Sequence, residues 1–145
     1  MIPLAQSRYP AEMTAPMQQE LADAGFTLLH SKEEVDSFLA TPGTKLVVVN
    51  SVCGCAAGSA RPGIVLATQN QKFPSVRATV FAGVDNEATQ RFREYVTPSP
   101  PSSPSIFLMD RKKCVFTMPR SEIEGKSPEE IAQRLGEAFQ SFVLP

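Results

Sequence analysis

The sequence predicts an α/β sandwich, in which helices cover both faces of a central mixed β-sheet. Predicted strands alternate with predicted helices through most of the chain, which is the pattern of layered α/β folds. The last elements are two strands joined by a short polar turn, followed by a helix. The chain has 145 residues, enough for one domain, 1–145, that buries about two-thirds of its unfolded surface.

Apolar spacing and capping signals locate the helices. Met13, Met17 and Leu21 recur at helical spacing before Gly25, which predicts a first helix with both methionines in the core. The first predicted helix runs from about Pro10 to Ala24, and the second runs from a cap at Ser31 to the turn at Thr41. The third follows the cysteine motif to about Thr68 and is expected to kink at Pro62. The last two begin at caps, one at Asp85 that leads through Tyr95 and one at Ser127 whose buried stripe ends in Phe142.

Short apolar runs bounded by turn residues predict five strands. They are Phe26–Leu29, Lys45–Asn50, Val76–Phe81, Ile106–Met109 and Cys114–Met118. The last two are separated by four polar residues and are typical of an antiparallel hairpin. The predicted order is therefore α-β-α-β-α-β-α-β-β-α.

The motif Cys53-Gly54-Cys55 lies between the most strand-like run of the chain and a segment of small residues that can open a helix. Backbone N–H groups and the helix dipole at such a junction stabilise a thiolate and lower its pKa. The second thiol can attack a mixed disulfide formed on the first. Glycine suits the tight ring because it has no Cβ, and strain in that ring predicts an easily reduced disulfide.

Composition argues against several other functions. Fourteen basic and fifteen acidic residues give a net charge of −1 without a basic stripe, so a nucleic-acid partner is not expected. No apolar run approaches the roughly 20 residues of a membrane-spanning helix, and the N-terminus lacks a secretory pattern, so we expect a cytoplasmic protein with no membrane partner. In a reducing compartment, a close cysteine pair is more often catalytic or metal-binding than structural.

Pro104 is the second predicted feature of the redox site. A cysteine pair after the second strand, a proline before the hairpin and a closing helix match the thioredoxin-like arrangement. Folds of that class place a cis-proline opposite the redox pair, so we predict a cis Ser103–Pro104 bond packed beside the cysteine turn. Because proline offers no N–H, the backbone of Ser103 stays available to pair with an extended client segment.

Three segments of the chain closely resemble the bacilliredoxin family: 49–62, which contains the Cys-Gly-Cys motif, 101–105 and 119–125. The similarity spans nearly the whole chain. Members of that family are thioredoxin-like cytosolic proteins that remove bacillithiol from S-bacillithiolated proteins. The resemblance implies that Cys53 is the attacking thiol and that Cys55 is the resolving thiol.

The resemblance also implies partners and substrate-binding residues. The expected partners are S-bacillithiolated client proteins, bacillithiol as a thiol co-substrate rather than a bound cofactor, and a reductase or second thiol that resets the site. Gly54, Ser103 and Pro104 are predicted to contact the substrate. Arg61 and Arg120 are candidates to pair with the malyl carboxylates of bacillithiol, since arginine binds carboxylates bidentately; the alternative is that each merely solvates a surface.

Other functions remain open at this stage. Disulfide isomerisation uses the same elementary exchange, and a metal- or persulfide-binding carrier would use the same cysteine pair.

A tetrahedral zinc site needs four ligands, and only Cys114 and His30 add soft or imidazole donors. A cysteine protease would need His30 beside its nucleophile. Cys114 lies in a predicted core strand and is more typical of a small buried hydrophobe. A thioredoxin-shaped binding module would not need two thiols at the most reactive position of the fold.

Overall fold

A computed structural model describes residues 7–143 and contains one five-stranded sheet. The strands are Thr27–Leu28 (β1), Thr44–Asn50 (β2), Val76–Phe81 (β3), Ser105–Asp110 (β4) and Lys113–Met118 (β5). The helices are Ala11–Asp23 (α1), Lys32–Ala40 (α2), Arg61–Ala67 (α3), Asn86–Tyr95 (α4), Arg120–Ile123 (α5) and Pro128–Phe142 (α6). The strand order is β1-β3-β2-β4-β5, with parallel pairing among the first three and antiparallel pairing of β4 and β5.

The central strand β2 is buried on both faces of the sheet. Leu46 and Val48 belong to a core cluster with residues of α1, α3 and α6, whereas Val47 and Val49 belong to a second cluster with residues of α2 and α4. Successive side chains of a strand point to opposite faces, so one apolar run supplies both cores. The predicted sandwich, with a mixed sheet flanked by helices, is confirmed.

Most predicted helices and strands are present, but individual core assignments were wrong. Met13 is 43% exposed and Phe142 is 41% exposed, because each stands at the solvent edge of its helix stripe. Asp85 precedes α4 without capping it through its side chain, since its carboxylate accepts hydrogen bonds from His30 and the Phe81 N–H instead. The short helix α5 was not predicted.

The segment after the cysteine motif begins with a π-helical turn, Ala56–Ala60, which passes directly into α3. The Arg61 N–H donates to the carbonyl of Ala56, five residues earlier. Pro62 is the second residue of α3, but the helical segment is continuous from Ala56, so the missing N–H of Pro62 leaves a carbonyl of the preceding turn without a helical donor. The helix changes type immediately before Pro62, and the kink at this residue stays a prediction.

Close packing of α3 against α6 requires glycine at one position. A Cβ added to Gly63 would lie 2.6 Å from the Cβ of Ile131, so any side chain there would push the two helices apart. The capping box predicted for the final helix is present, with Ser127 and Glu130 each accepting from the other's backbone N–H. Within residues 7–143, no helix combines the length and the apolar character needed to cross a membrane.

Candidate redox site

The cysteine turn follows the buried end of β2. Asn50 is the last residue of that strand, and Cys53 and Cys55 form a disulfide with their Cα atoms 5.5 Å apart. That separation lies within the usual range for disulfides. The sheet therefore ends in a turn that holds two sulfurs in bonding contact, with the helical segment beginning immediately after them.

The two cysteines of the turn make different hydrogen bonds. The Cys55 N–H donates to the Sγ of Cys53 over 3.3 Å, and the Cys53 N–H donates to the Oγ of Ser51 over 3.1 Å. Cys55 also packs against the core cluster shared by α1, α3 and α6. The turn therefore directs a backbone donor at the sulfur of Cys53, whereas Cys55 faces the apolar core.

Gly54 stands exposed at the tip of the turn. Its φ is not in the left-handed region, and a Cβ added there would meet no atom within 4 Å. In this disulfide form, neither backbone conformation nor crowding requires glycine. This conformation therefore gives no support to the prediction that the tight ring needs glycine, and a contact of Gly54 with substrate stays a prediction.

The loop that ends in Pro104 lies beside the end of β2. The β2–β4 register pairs Val49 with Ser105, so Pro104 directly precedes the strand next to the one that carries the cysteine turn. The Ser103–Pro104 bond is cis, as predicted, and the Thr97–Pro98 bond earlier in the same loop is also cis. Pro104 is buried, while Ser103 is partly exposed and lies outside the β2–β4 ladder. The proposed contact of Ser103 with a client backbone stays a prediction.

Arg61 is buried beneath the cysteine turn, with 3% of its surface exposed. Its Nη1 donates to the Oδ1 of Asn50 over 2.9 Å and to the carbonyl of Ser51 over 2.8 Å. Its Nε donates to Glu20 over 2.8 Å. This burial is at odds with a substrate-binding role and with the alternative of a solvated arginine, because the guanidinium is enclosed and already paired. Arg61 instead supports the chain segment that leads to Cys53.

Asn50 and Glu20 complete this support, and sequence analysis did not identify either. The Oδ1 of Asn50 also accepts from the Ser51 N–H over 2.8 Å, and its Nδ2 donates to the carbonyl of Met17 over 3.2 Å. A polar residue ending an otherwise apolar strand was the available signal for Asn50. Glu20 carried no local signal, since its pairing with Arg61 spans 41 residues.

Arg120 is exposed and lies against the loop that carries Pro104. Its backbone N–H donates to the Oγ of Ser102 over 3.3 Å, and its Nη1 lies 3.5 Å from the carbonyl of Ser103. Its Nε is also paired with Glu124. The guanidinium is thus accessible but partly neutralised, and its proposed contact with bacillithiol stays a prediction.

The remaining cysteine and the histidine lie on other elements. Cys114 is on β5, where partial burial raises the pKa of its thiol, so that the protonated form is favoured. The Nδ1 of His30 lies 2.8 Å from the carboxylate of Asp85. In the described part of the chain, no three or more His, Cys, Asp or Glu side chains cluster as metal ligands would.

Solved structures define the class of this protein. It is similar to thioredoxin O2 of Arabidopsis thaliana, with a TM-score of 0.54 and 15% identity over 84% of this chain and 97% of that one. It is also similar to mitochondrial thioredoxin 3 of Saccharomyces cerevisiae, with a TM-score of 0.53 and 14% identity over 82% and 97% of the two chains. The fold is thioredoxin-like. The bonded cysteine pair directly follows the central strand of this fold.

Sequence relatives identify the family. A family model described as disulphide isomerase matches residues 9–143. A bacilliredoxin of Cytophaga hutchinsonii is 50% identical over 127 residues, which cover 88% of this chain and 94% of that protein. A bacilliredoxin of Halalkalibacterium halodurans is 48% identical over 132 residues, covering 90% and 92% of the two. The chain belongs to the bacilliredoxin family.

Proposed function

We propose that this protein removes bacillithiol from S-bacillithiolated proteins by thiol–disulfide exchange at Cys53 and Cys55. The observation that carries the proposal is the hydrogen bond from the Cys55 N–H to the Sγ of Cys53, formed within a pair already in bonding contact. It favours the thiolate on one cysteine and keeps the other within reach of any adduct formed there. The bacilliredoxin relatives agree with this assignment.

The exchange takes place in two balanced steps. The Cys53 thiolate attacks the bacillithiol sulfur of the mixed disulfide, and the client leaves as a thiolate that takes up a proton. Bacillithiol is then attached to Cys53 through a new disulfide. In the second step, the Cys55 thiolate attacks the Cys53 sulfur, and bacillithiol leaves. Alternatively, a second bacillithiol thiolate attacks the bacillithiol sulfur of the adduct, which releases the Cys53 thiolate and forms bacillithiol disulfide. The Cys53–Cys55 disulfide is finally reduced by a reductase or by two molecules of a thiol, which leave joined as a disulfide.

Variants of the three cysteines test these roles. Cys53→Ser should abolish removal of bacillithiol from a bacillithiolated client, measured by the mass of the client. Cys55→Ser should retain the first step and accumulate bacillithiol on Cys53, detected as an adduct mass. Cys114→Ser is the matched control and should retain full activity, because this thiol lies on β5. Full activity of Cys53→Ser would contradict the proposal.

Disulfide isomerisation is a second candidate, favoured by the description of the matching family model. It would use the same attack of Cys53, but on a disulfide within a client protein. The one-residue spacing predicts a reduction potential less negative than thioredoxin's value of about −270 mV, which suits isomerisation better than bulk reduction. Equilibration against a thiol redox buffer measures the potential, and refolding of a scrambled disulfide protein measures the isomerase activity.

A further inference from the structure

An open groove reaches the chain segment that leads to the cysteine turn. It has a volume of about 960 Å³ and lies between α4, the segment around Tyr9 and the proline-rich loop before Pro104. Ser51 and Ser103 both contribute to its wall, so it reaches the segment that leads to Cys53 and the loop opposite. Small-molecule sites typically occupy about 300–1,000 Å³.

Two guanidinium groups in the wall of the groove have no ion-pair partner among residues 7–143. Arg8 and Arg93 both contribute to its wall, and neither forms an ion pair with any residue of 7–143. The side chain of Arg93 is partly buried and makes one long contact, from Nη2 to the carbonyl of Ser102 over 3.5 Å. The carboxylate in the wall, Glu94, is held by Arg91 over 2.8 Å. The groove is therefore electropositive where it is enclosed.

Two further observations point to a ligand. Burial lowers the pKa of Arg93, which means that the folded protein holds this charge at a desolvation cost that a bound anion would offset. Thr89 also contributes to the groove wall and is 3% exposed. Its Oγ1 has no hydrogen-bond partner within residues 7–143. Buried hydroxyl groups without a partner are uncommon in folded proteins.

We propose that this groove binds the carboxylate-bearing part of the low-molecular-weight thiol, with Arg93 as the main carboxylate ligand and Arg8 as the second. Arginine matches the planar geometry of a carboxylate, and the malyl group of bacillithiol carries two. Binding there would hold the thiol beside Ser51 while its sulfur is attached to Cys53. The assignment rests on the proposed function, and it places recognition on Arg93 and Arg8 rather than on Arg61.

The test measures selectivity of Cys53 between a charged and an uncharged disulfide. In a Cys55→Ser, Cys114→Ser background, Cys53 reacts with bacillithiol disulfide and, separately, with bis(hydroxyethyl) disulfide. The ratio of the two second-order rate constants reports recognition of the carboxylates. Arg93→Gln should lower this ratio about tenfold, Arg8→Gln should lower it less because Arg8 is exposed, and Arg93→Lys should retain part of it. High salt should lower the ratio in the unsubstituted background.

Arg134→Gln is the matched control for loss of one guanidinium. Arg134 is exposed on α6 and paired with Glu122 over 3.0 Å, outside the groove, so the ratio should not change. An unchanged ratio in both Arg93→Gln and Arg8→Gln would overturn the proposal. An equal fall in both rate constants would also overturn it, because loss of carboxylate recognition affects only the charged disulfide. Equal falls would indicate instead that the substitution displaced a loop or removed a site for client chains. Failure to act on a bacillithiolated client, with the ratio still dependent on Arg93, would instead contradict the proposed function alone.

Discussion

Ser51 contributes to two regions of the molecule that use arginine in opposite ways. On one side, Arg61 is enclosed and has three hydrogen-bond partners, including the carboxylate of Glu20. On the other side, Arg93 borders an open groove and makes a single long contact to a carbonyl. A guanidinium whose donors are used internally stabilises the fold around it. One that is held half-buried without a carboxylate has donors left for a ligand.

The type of residue alone did not distinguish a supporting arginine from one that is available to a ligand. Arg61 was a candidate ligand for bacillithiol because arginine binds carboxylates bidentately, and it lies close to the cysteine motif along the chain. Arg93 follows the motif by about 40 residues and carried no signal. In the folded protein, the helical segment after the motif buries Arg61. Helix α4 instead brings Arg93 to the groove wall that contains Ser51, so Arg93 is the better placed of the two to bind a ligand.

The largest expected effect is on the stability of the enclosed side. Arg61→Met should lower the free energy of unfolding by about 3 kcal/mol, because it leaves the Asn50 side chain and the Ser51 carbonyl short of a donor and Glu20 without its cation. Urea denaturation of the oxidised protein measures the change. Arg134→Met, which removes an exposed ion pair, should cost less than about 1 kcal/mol. Equal losses in the two variants would remove the distinction between enclosed and exposed arginines.

Glu20→Gln should have a smaller effect on the same network. Arg61 keeps its bonds to Asn50 and Ser51, and the Glu20 side chain is 38% exposed, so water screens part of the lost attraction. We expect a loss of about 1 kcal/mol by urea denaturation. A loss as large as that of Arg61→Met would mean that the ion pair, rather than the bonds to the end of β2, accounts for the contribution of Arg61.

A third buried cation extends the comparison to the other end of β2. Lys45 is fully buried, and its Nζ donates to the carbonyls of Thr41 and Gly43. Burial lowers its pKa from the ordinary 10.5. Between the lowered pKa and 10.5 the unfolded chain binds more protons than the folded one, so this group makes stability rise with pH. The free energy of unfolding should therefore rise more steeply with pH in the natural protein than in Lys45→Met. Identical slopes in the two proteins would contradict a lowered pKa for Lys45 in the folded state.

The fold was predictable because its signals are local. Alternating helix and strand patterns, the caps at Ser31 and Ser127 and the apolar run of β2 each act within a few residues, and each is present in the structure. The cysteine turn and the cis bond before Pro104 were predictable for a related reason, since their positions follow from element order. The pairing of Glu20 with Arg61 and the groove around Arg93 depend on long-range contacts that no local pattern encodes.

The smallest expected effect on stability is at the groove, and it sharpens the contrast with Arg61. Arg93→Met removes a guanidinium that has no carboxylate partner and whose charge is disfavoured by burial, while the methionine retains the apolar packing of the side-chain stem. The free energy of unfolding should therefore stay within about 0.5 kcal/mol of the natural protein, measured by urea denaturation without bacillithiol. Stabilisation by added bacillithiol disulfide, in a background with all three cysteines replaced by serine, should be lost in Arg93→Met and retained in Arg134→Met. If Arg93→Met instead lowered the free energy of unfolding by several kcal/mol without ligand, Arg93 would stabilise the fold as Arg61 does.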